Sequence, residues 1–265
     1  MPSLDQEMTC ATGHQDFGHH QAPKHQRTSV MKCDILIIGA GAAGLAAAAA
    51  AHDPGLRVIL AEKEDHVGGT TFRSGGCMWM PNNFLMQGTG IEDSKEQAAR
   101  YINAVAKLTC SSLEEQAFHG RLRDERLDAF LTQGPEMMRY FRDQGFRWMA
   151  KPSQGEDRYQ QFIGDPTVVP NPCMGPVKES PFYGIRIFPG DAGTRGGPQT
   201  DQFARVLRAD GSVISGLFAG GNASVALLGT QGAGTTLAPA MTEGFIAVKY
   251  MQHLARGSGV ILEDR

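Results

Sequence analysis

Paired cysteines are missing from this sequence: the chain has five cysteines, an odd number, and no C-x-x-C pair. A disulfide framework and a metal site are therefore not expected, and a reducing, cytoplasmic compartment is the expected location. Strong charge is missing too. The net charge of −3 gives no electrostatic reason to expect nucleic acid or an anionic membrane as a partner. The alanine run at 46–51 is too short to span a bilayer.

The overall composition is that of an ordinary globular chain. Of its 265 residues, 41% are hydrophobic and 20% are charged, which suits one large domain or two small ones. Residues 1–30 hold four histidines and few apolar residues, which predicts a disordered tail rather than a weak metal-binding tract. This segment has neither the apolar core of a signal peptide nor the composition of a transit peptide.

The stretch CDILIIGAGAAGLAAAAAA, residues 33–51, predicts a strand, a glycine-rich turn and the start of a helix. We expect the strand to be buried on both faces. The turn fits G-x-G-x-x-G: Gly39 permits the tight turn, Gly41 lets a pyrophosphate approach the backbone, and Gly44 lets the helix pack on the strand. Ala43, within the same motif, is also a cofactor-binding candidate.

A second strand follows, and an acidic residue ends it. Glu62 stands 21 residues beyond Gly41 in LRVILAEKE, where a carboxylate can accept hydrogen bonds from a ribose diol. Its neighbour Lys63 completes this part of the predicted site. The order of strand, glycines, helix, strand and acid predicts dinucleotide binding. The alternative is a glycine-rich turn in an unrelated βαβ unit.

A second glycine-rich loop lies just past the acid, in HVGGTTFRSGGCMWMPNN at 66–83. NAD does not require such a loop, whereas FAD does, because its isoalloxazine ring extends away from the pyrophosphate. The loop therefore favours FAD over NAD, the alternative being an ordinary Gly/Ser loop. The cofactor-binding candidates in it are Gly69, Thr70, Thr71, Ser74, Gly75 and Gly76.

These motifs together resemble the flavoprotein family of fumarate reductases and 3-ketosteroid Δ1-dehydrogenases. The form SGG…W.PNN is similar to the ketosteroid dehydrogenase branch. The resemblance implies an FAD-dependent oxidoreductase. In the succinate dehydrogenase branch a histidine of this loop bonds covalently to FAD. Residues 68–83 contain no histidine, so non-covalent FAD is expected.

The middle of the chain predicts helices over 92–148, with Gly134 and Pro135 interrupting the second. Arg121, Arg123 and Arg126 are expected on a solvated face rather than at an anion site. Apolar residues at helical spacing mark the buried side of the second helix: Leu127, Phe130, Leu131, Met137, Met138 and Phe141.

After residue 150 the chain departs from its relatives. Residues 151–180 are rich in proline, glycine and polar residues, which predicts an irregular loop. The resembling family carries a large substrate domain near this point and an ATGG-like strand, and neither is found here. An internal deletion near 149–155 is the simplest interpretation.

The last third predicts a strand, an Asp210-Gly211 turn, a second strand, a glycine-rich elbow and a helix ending near Arg256. The resemblance is close here, in PFY…PGDAGTRGG and GAGTTLAPAMTEGFIA. It implies a cofactor role for glycines and polar residues at two points. These cofactor-binding candidates are Gly221, Asn222, Thr236 and Leu237.

The family chemistry implied by the resemblance is removal of two hydrogens beside a ring ketone of a steroid or terpenoid, with hydride passing to flavin N5. Tyr183 is the catalytic candidate that polarises the ketone, helped by backbone N–H groups at 190–193; a core tyrosine is the alternative. Asp191 is an acid–base candidate, though a turn cap suits it better. Expected partners are a small hydrophobic ketone and an electron acceptor.

Two other functions stay open from the residues. One is a flavin-dependent alkene reductase of the fumarate type, for which Arg186 or Arg195 could supply an acid. The other is an inactive FAD-binding remnant.

The expected fold is α/β, with a Rossmann-like FAD-binding domain formed by both ends of the chain and a reduced helical and loop insertion replacing most of the substrate domain. The predicted divisions are a tail at 1–30, the first part of the FAD domain at 31–90, the insertion at 91–180, the second part at 181–257, and a tail at 258–265.

Overall fold

The computed structural model describes residues 31–52, 56–87, 93–107, 113–150, 193–228 and 234–256, with residues 167, 181, 184 and 186 singly. Backbone contacts divide the chain into two units, Met1–Lys32 and Cys33–Arg265. Only Met31 and Lys32 of the first unit are described, so the fold below is that of the second unit.

The first part of this unit is a parallel βαβ motif. Strand β1 (Ile35–Ile38) leads into helix α1 (Ala42–Ala50), and strand β2 (Val58–Ala61) pairs with β1 along its length, from Ile35 with Val58 to Ile38 with Ala61. The helix is built almost wholly of alanine, the best helix former. The predicted strand–turn–helix–strand order is confirmed.

Burial of β1 on both faces, by contrast, is a wrong prediction. Ile35 is 6% exposed and lies in the core, whereas Leu36 is 56% and Ile38 83% exposed. Side chains alternate between the two faces of a strand, and the core that includes α1 covers only the Ile35 side. Within the described residues this sheet has two strands, and Leu36 and Ile38 on its other face are exposed.

The middle of the unit is helical. A short helix α2 (Gly69–Phe72) and a 3₁₀ turn at Phe84–Met86 precede the long helices α3 (Lys95–Lys107) and α4 (Leu113–Asp143). All six apolar residues predicted for the inner side of α4 are buried in the core, which confirms that helical pattern.

The predicted interruption of α4 at Gly134 and Pro135 is wrong, because the helix continues through both. Proline lacks an N–H for the carbonyl four residues earlier and crowds it, which destabilises a helix interior. Here Leu131 and Met137, on either side of the proline, are both buried. Packing of the apolar face therefore outweighs the local preference.

The last part of the unit is an antiparallel hairpin followed by a helix. Strands β3 (Arg205–Leu207) and β4 (Val213–Phe218) pair through a turn in which Gly211 has φ +83°. A 3₁₀ turn (Gly221–Ala223) and helix α5 (Leu237–Arg256) follow. The predicted hairpin, its turn and the end of the helix are confirmed.

Helix α5 packs against α1, which joins distant parts of the sequence. A Cβ atom on Gly244 would collide with the backbone carbonyl of Ala43, so glycine is what permits this close crossing. Further along, the buried Gln252 donates its Nε2 to the carbonyl of Ala50 at 3.2 Å. The packing of α1 on α5 buries Ala47, Ala50 and Val248 in one core.

Candidate functional site

The glycine-rich turn after β1 is held tightly by the backbone. Gly39 has φ +94°, a conformation that glycine adopts without strain, and its N–H donates to the carbonyl of Ala61 at 2.7 Å. A Cβ on Gly44 would collide with the carbonyl oxygen of Gly39. The turn and the helix are therefore as close as the backbone allows, as the motif predicts.

The amino end of α1 is open. Gly41 is the N-cap residue and supplies no side-chain cap. A Cβ added there would find no atom within 4 Å, and its φ of −76° suits any residue. The protein itself thus does not require glycine at this position. Glycine at this position instead leaves space for a ligand. Because the helix dipole is positive at this end, the favoured ligand is an anion such as a pyrophosphate.

Glu62 lies directly after β2 and reaches the glycine-rich turn. Its Oε2 accepts the Ala40 N–H at 2.6 Å, and its Oε1 accepts the N–H groups of Lys63 and Glu64 at 2.9 and 3.1 Å. The Ala40 hydrogen bond is the main reason that the pKa of Glu62 is lowered. A carboxylate has about four acceptor sites, so one stays available for a ribose hydroxyl. Lys63 itself is exposed and paired with Glu64.

The second glycine-rich loop packs on the first. Gly68 donates its N–H to the carbonyl of Ala40 at 2.8 Å, and Thr71 accepts the N–H of Ala42 through its hydroxyl at 3.2 Å. Ser74 donates its hydroxyl to the carbonyl of Thr71 and accepts the N–H of Gly76. Gly69, Thr70 and Gly75 are exposed beside these contacts.

Gly221 brings the second half of the chain to this cradle. It has φ +61°, and a Cβ on it would lie 3.2 Å from Cβ of Ala43 and 3.0 Å from Cβ of Ala240. It is thus wedged between α1 and α5. A second junction lies nearby, where the N–H of Trp79 donates to the carbonyl of Gly234 at 3.1 Å. The two halves of the chain are therefore joined at both the first and the second glycine-rich loop.

A cleft opens beside Gly221 at the start of α5. Its cavity volume is about 40 Å³. Asn222 lies against Gly193, and Leu237 is the first residue of α5. Polar and glycine residues of the lining include Gly193, Thr194, Arg195, Gly221, Asn222, Thr235 and Thr236.

One lining residue was missed from the sequence. Glu243 on α5 pairs with Arg126 on α4 at 2.6 Å, the two side chains being 11% and 7% exposed. Its Oε2 accepts the N–H of Gly221 at 2.8 Å. The solvated-face prediction is therefore wrong for Arg126, although it suits the exposed Arg121. A lone acid in the apolar run LAPAMTEGFIAV was the available signal, since a buried charge needs a partner.

Two of the predicted residues, Tyr183 and Asp191, lie outside the described ranges. Of the two arginines considered for an acid, Arg186 is exposed and Arg195 lines the cleft. In the described part of the chain, no group of three or more His, Cys, Asp or Glu side chains is arranged to hold a metal ion. None of the described helices is long and apolar enough to cross a membrane.

The residues present fit the ADP part of FAD, since the cradle offers space at Gly41, an open helix end and the Glu62 carboxylate. At the other end they offer an open cleft. Comparison with known proteins points the same way: residues 34–156 and 147–237 match a family described as FAD binding domain.

Two curated relatives are 3-oxosteroid 1-dehydrogenases. That of Mycobacterium tuberculosis is 34% identical over 164 residues, which is 61% of this chain and 28% of the relative. That of Mycolicibacterium smegmatis is 49% identical over 96 residues, which is 36% of this chain and 17% of the relative. The chain thus matches well under a third of the length of either relative.

A solved structure is also similar in sequence. It is the 3-ketosteroid Δ1-dehydrogenase of Sterolibacterium denitrificans, 37% identical over 42% of this chain and 17% of that one, with a TM-score of 0.34. The fold assignment therefore depends on the family match, which spans most of the sequence. The chain belongs to the family of FAD binding domains, with an FAD-binding α/β fold, and its cofactor is FAD.

Proposed function

We propose that this protein is an FAD-dependent oxidoreductase that removes two hydrogens from neighbouring carbons beside a ketone on a steroid-like or terpenoid ring. The names of the relatives support this substrate class. The observation that carries the proposal is the position of Gly221 between Ala43 and Ala240, because it joins residues of both family-matched segments at one cradle and cleft.

The FAD domain, in this proposal, is formed by residues 31–90 and 181–257, with 91–180 as a reduced insertion. The close crossing of α1 and α5 supports an assembly of the two parts. The two family-matched segments overlap at 147–156, which is where the sequence loses its helical pattern. This overlap supports a deletion of most of the substrate domain at that point.

Each part of the site then has a role in holding FAD without a covalent bond. The amino end of α1, with the open space at Gly41, receives the pyrophosphate, and Glu62 accepts a ribose hydroxyl. Gly221, Asn222 and Thr236 form the end of the site that faces the cleft. Bound FAD supplies the hydride acceptor for the reaction.

The remaining chemistry falls to side chains of the protein. Tyr183 donates its hydroxyl to the ketone oxygen and stabilises the negative charge that develops there when the neighbouring carbon loses a proton. The amino end of α5, which begins at Leu237 beside the cleft, supplies a positive dipole end that would favour the anionic form of the reduced flavin. A general base takes the proton.

The test is FAD uptake followed by turnover. The purified chain is mixed with FAD, desalted, and examined for retained flavin absorption, with Gly41→Ala as the matched control that keeps the fold. Flavin-loaded protein is then given a 3-ketosteroid and a dye acceptor. We expect dye reduction, and its loss in Tyr183→Phe. Retained flavin without dye reduction would refute the proposed reaction while leaving FAD binding intact. Alkene reduction by the reduced protein would favour the reductase direction instead.

A further inference from the structure

Beyond the residues that contact FAD in the proposed site, we infer that Glu243 and Arg126 are positioning residues that hold the Gly221 loop in its FAD-binding conformation. This inference rests on the proposed FAD site. Glu243 lies on α5 and Arg126 on α4, and their side chains meet at 2.6 Å in a region from which water is nearly excluded. Their sequence separation of 117 residues makes the pair a connection between the helical middle and the last part of the fold.

The loop is bound to this pair by three further hydrogen bonds. Glu243 accepts the N–H of Gly221 at 2.8 Å through Oε2. The Ser224 hydroxyl shares its one hydrogen between the same oxygen, at 3.3 Å, and the carbonyl of Gly221, at 3.2 Å. Arg126 donates to the carbonyl of Val225 at 2.9 Å. Both sides of the turn at 221–225 are thus attached to one ion pair, which fixes its position relative to α4 and α5.

Two observations connect this attachment to the cofactor site rather than to packing alone. Glu243 lines the cleft together with Gly221 and Asn222. Gly221 also lies close to Ala43 in the first turn of α1, since a Cβ on Gly221 would come within 3.2 Å of the Ala43 Cβ. A shift of the loop therefore changes the spacing between the two halves of the cradle. Holding Gly221 therefore fixes the surface of the loop that faces the ligand before the ligand binds. This lowers the entropy cost of ordering the loop on binding.

The test must distinguish the effect of losing the hydrogen bond to Gly221 from the effect of leaving a buried charge without its partner. Removing one member of a buried ion pair strands its partner and destabilises the whole fold, whereas replacing both by uncharged residues of similar size is often nearly neutral. We therefore compare two double variants, Arg126→Met with Glu243→Gln and Arg126→Met with Glu243→Met. Glutamine keeps an acceptor for the Gly221 N–H, and methionine, of similar length, does not.

The measurements are the melting temperature, hydrogen exchange of residues 220–225 in FAD-free protein, the Kd for FAD, and the visible circular dichroism of bound flavin. The glutamine variant is expected to bind FAD within about threefold of the parent. The methionine variant is expected to bind about tenfold more weakly, the loss of one buried hydrogen bond, with faster exchange at 220–225 and a changed flavin spectrum. A surface pair on α4, Arg139→Met with Glu136→Gln, is the control.

Equal Kd values and equal exchange in the two double variants would overturn the inference. If the parent takes up no FAD, the proposed function fails, and the exchange contrast alone then decides whether Glu243 anchors the loop. Should a double variant not fold, Glu243→Asp serves instead, since it keeps the charge opposite Arg126 but is one methylene too short to bond Gly221 as well. An unchanged Kd and unchanged exchange in that variant would likewise overturn the inference.

Discussion

Gly41 and Gly44 stand three residues apart around the first turn of α1, yet a methyl group would meet quite different surroundings at the two positions. At Gly44 it would collide with the carbonyl of Gly39, and at Gly41 it would meet no protein atom within 4 Å. The two glycines therefore serve different purposes. One permits the helix to pack on the turn, and the other leaves room for what binds there.

Alanine substitutions should separate these purposes. Gly44→Ala is expected to destabilise the fold by about 1–3 kcal/mol, because the backbone must shift to admit the methyl group. Gly41→Ala should cost at most about 1 kcal/mol, since alanine is a poorer N-cap than glycine, yet weaken FAD binding at least about tenfold by blocking the close approach of the pyrophosphate. Denaturant unfolding and FAD titration measure both effects. Unchanged FAD affinity in a folded Gly41→Ala protein would contradict the proposed cradle.

The crossing of α1 and α5 gives a second test. Gly244→Ala would drive a methyl group into the backbone of Ala43, so a loss of about 1–3 kcal/mol is expected, or a fall in melting temperature of about 2–4 °C per kcal/mol. Gly120→Ala on α4 is the control, because its methyl group would enter open space. That control should stabilise slightly, as alanine favours helices over glycine. Similar melting temperatures for both variants would show that the helices do not cross so closely.

The carboxylate of Glu62 predicts a pH dependence. Its pKa is lowered, mainly by the Ala40 N–H, from an ordinary value of 4.5. The lowered pKa means that the native state favours the ionised form, so this stabilisation is complete above pH 4.5 and is lost as the pH falls through the lowered pKa. The parent should therefore have a larger free energy of unfolding than Glu62→Gln at neutral pH, and this difference should shrink as the pH falls below 4.5. A gap independent of pH would contradict the assigned hydrogen bonds.

The one-sided burial of β1 predicts unequal costs for the same substitution. Ile35→Thr places a hydroxyl in the core and removes a methyl group, for an expected loss of about 2–3 kcal/mol. Ile38→Thr replaces an exposed side chain by one that also favours strands, and should change the stability by less than about 0.5 kcal/mol. Chemical denaturation of the two variants measures both. Equal losses would mean that the second face of the sheet is covered after all.

Elements whose causes lie in neighbouring residues could be predicted from the sequence. The turn at Gly39–Gly44 carries its own backbone requirements, and the Asp210-Gly211 pair is a strong hairpin signal. The apolar spacing of α4 marked its buried side correctly. These are local patterns, and each predicted the type of its element.

What failed depended on contacts between distant segments. Whether Leu36 and Ile38 are covered is decided by which other elements lie over the strand, and the strand's own residues do not specify this. The local rule that proline interrupts a helix fails at Pro135, because the packing of buried residues on both sides of it outweighs the rule. The charge of Arg126 predicts an exposed side chain, because its partner, Glu243, lies more than a hundred positions later in the sequence. The role predicted for Tyr183 stays a prediction, outside the described residues.

The hydrogen bond from Gln252 to Ala50 has a consequence for how the chain acquires its structure. These two residues are 202 positions apart, so during synthesis, at about 5–20 residues per second, the first helix waits about 10–40 s for its packing partner to be made. For that time its alanine face lacks the surface that later covers it. Contacts between such distant segments also slow folding, because a long loop must close before they form. The core that α1 and α5 form together is therefore completed only late in synthesis.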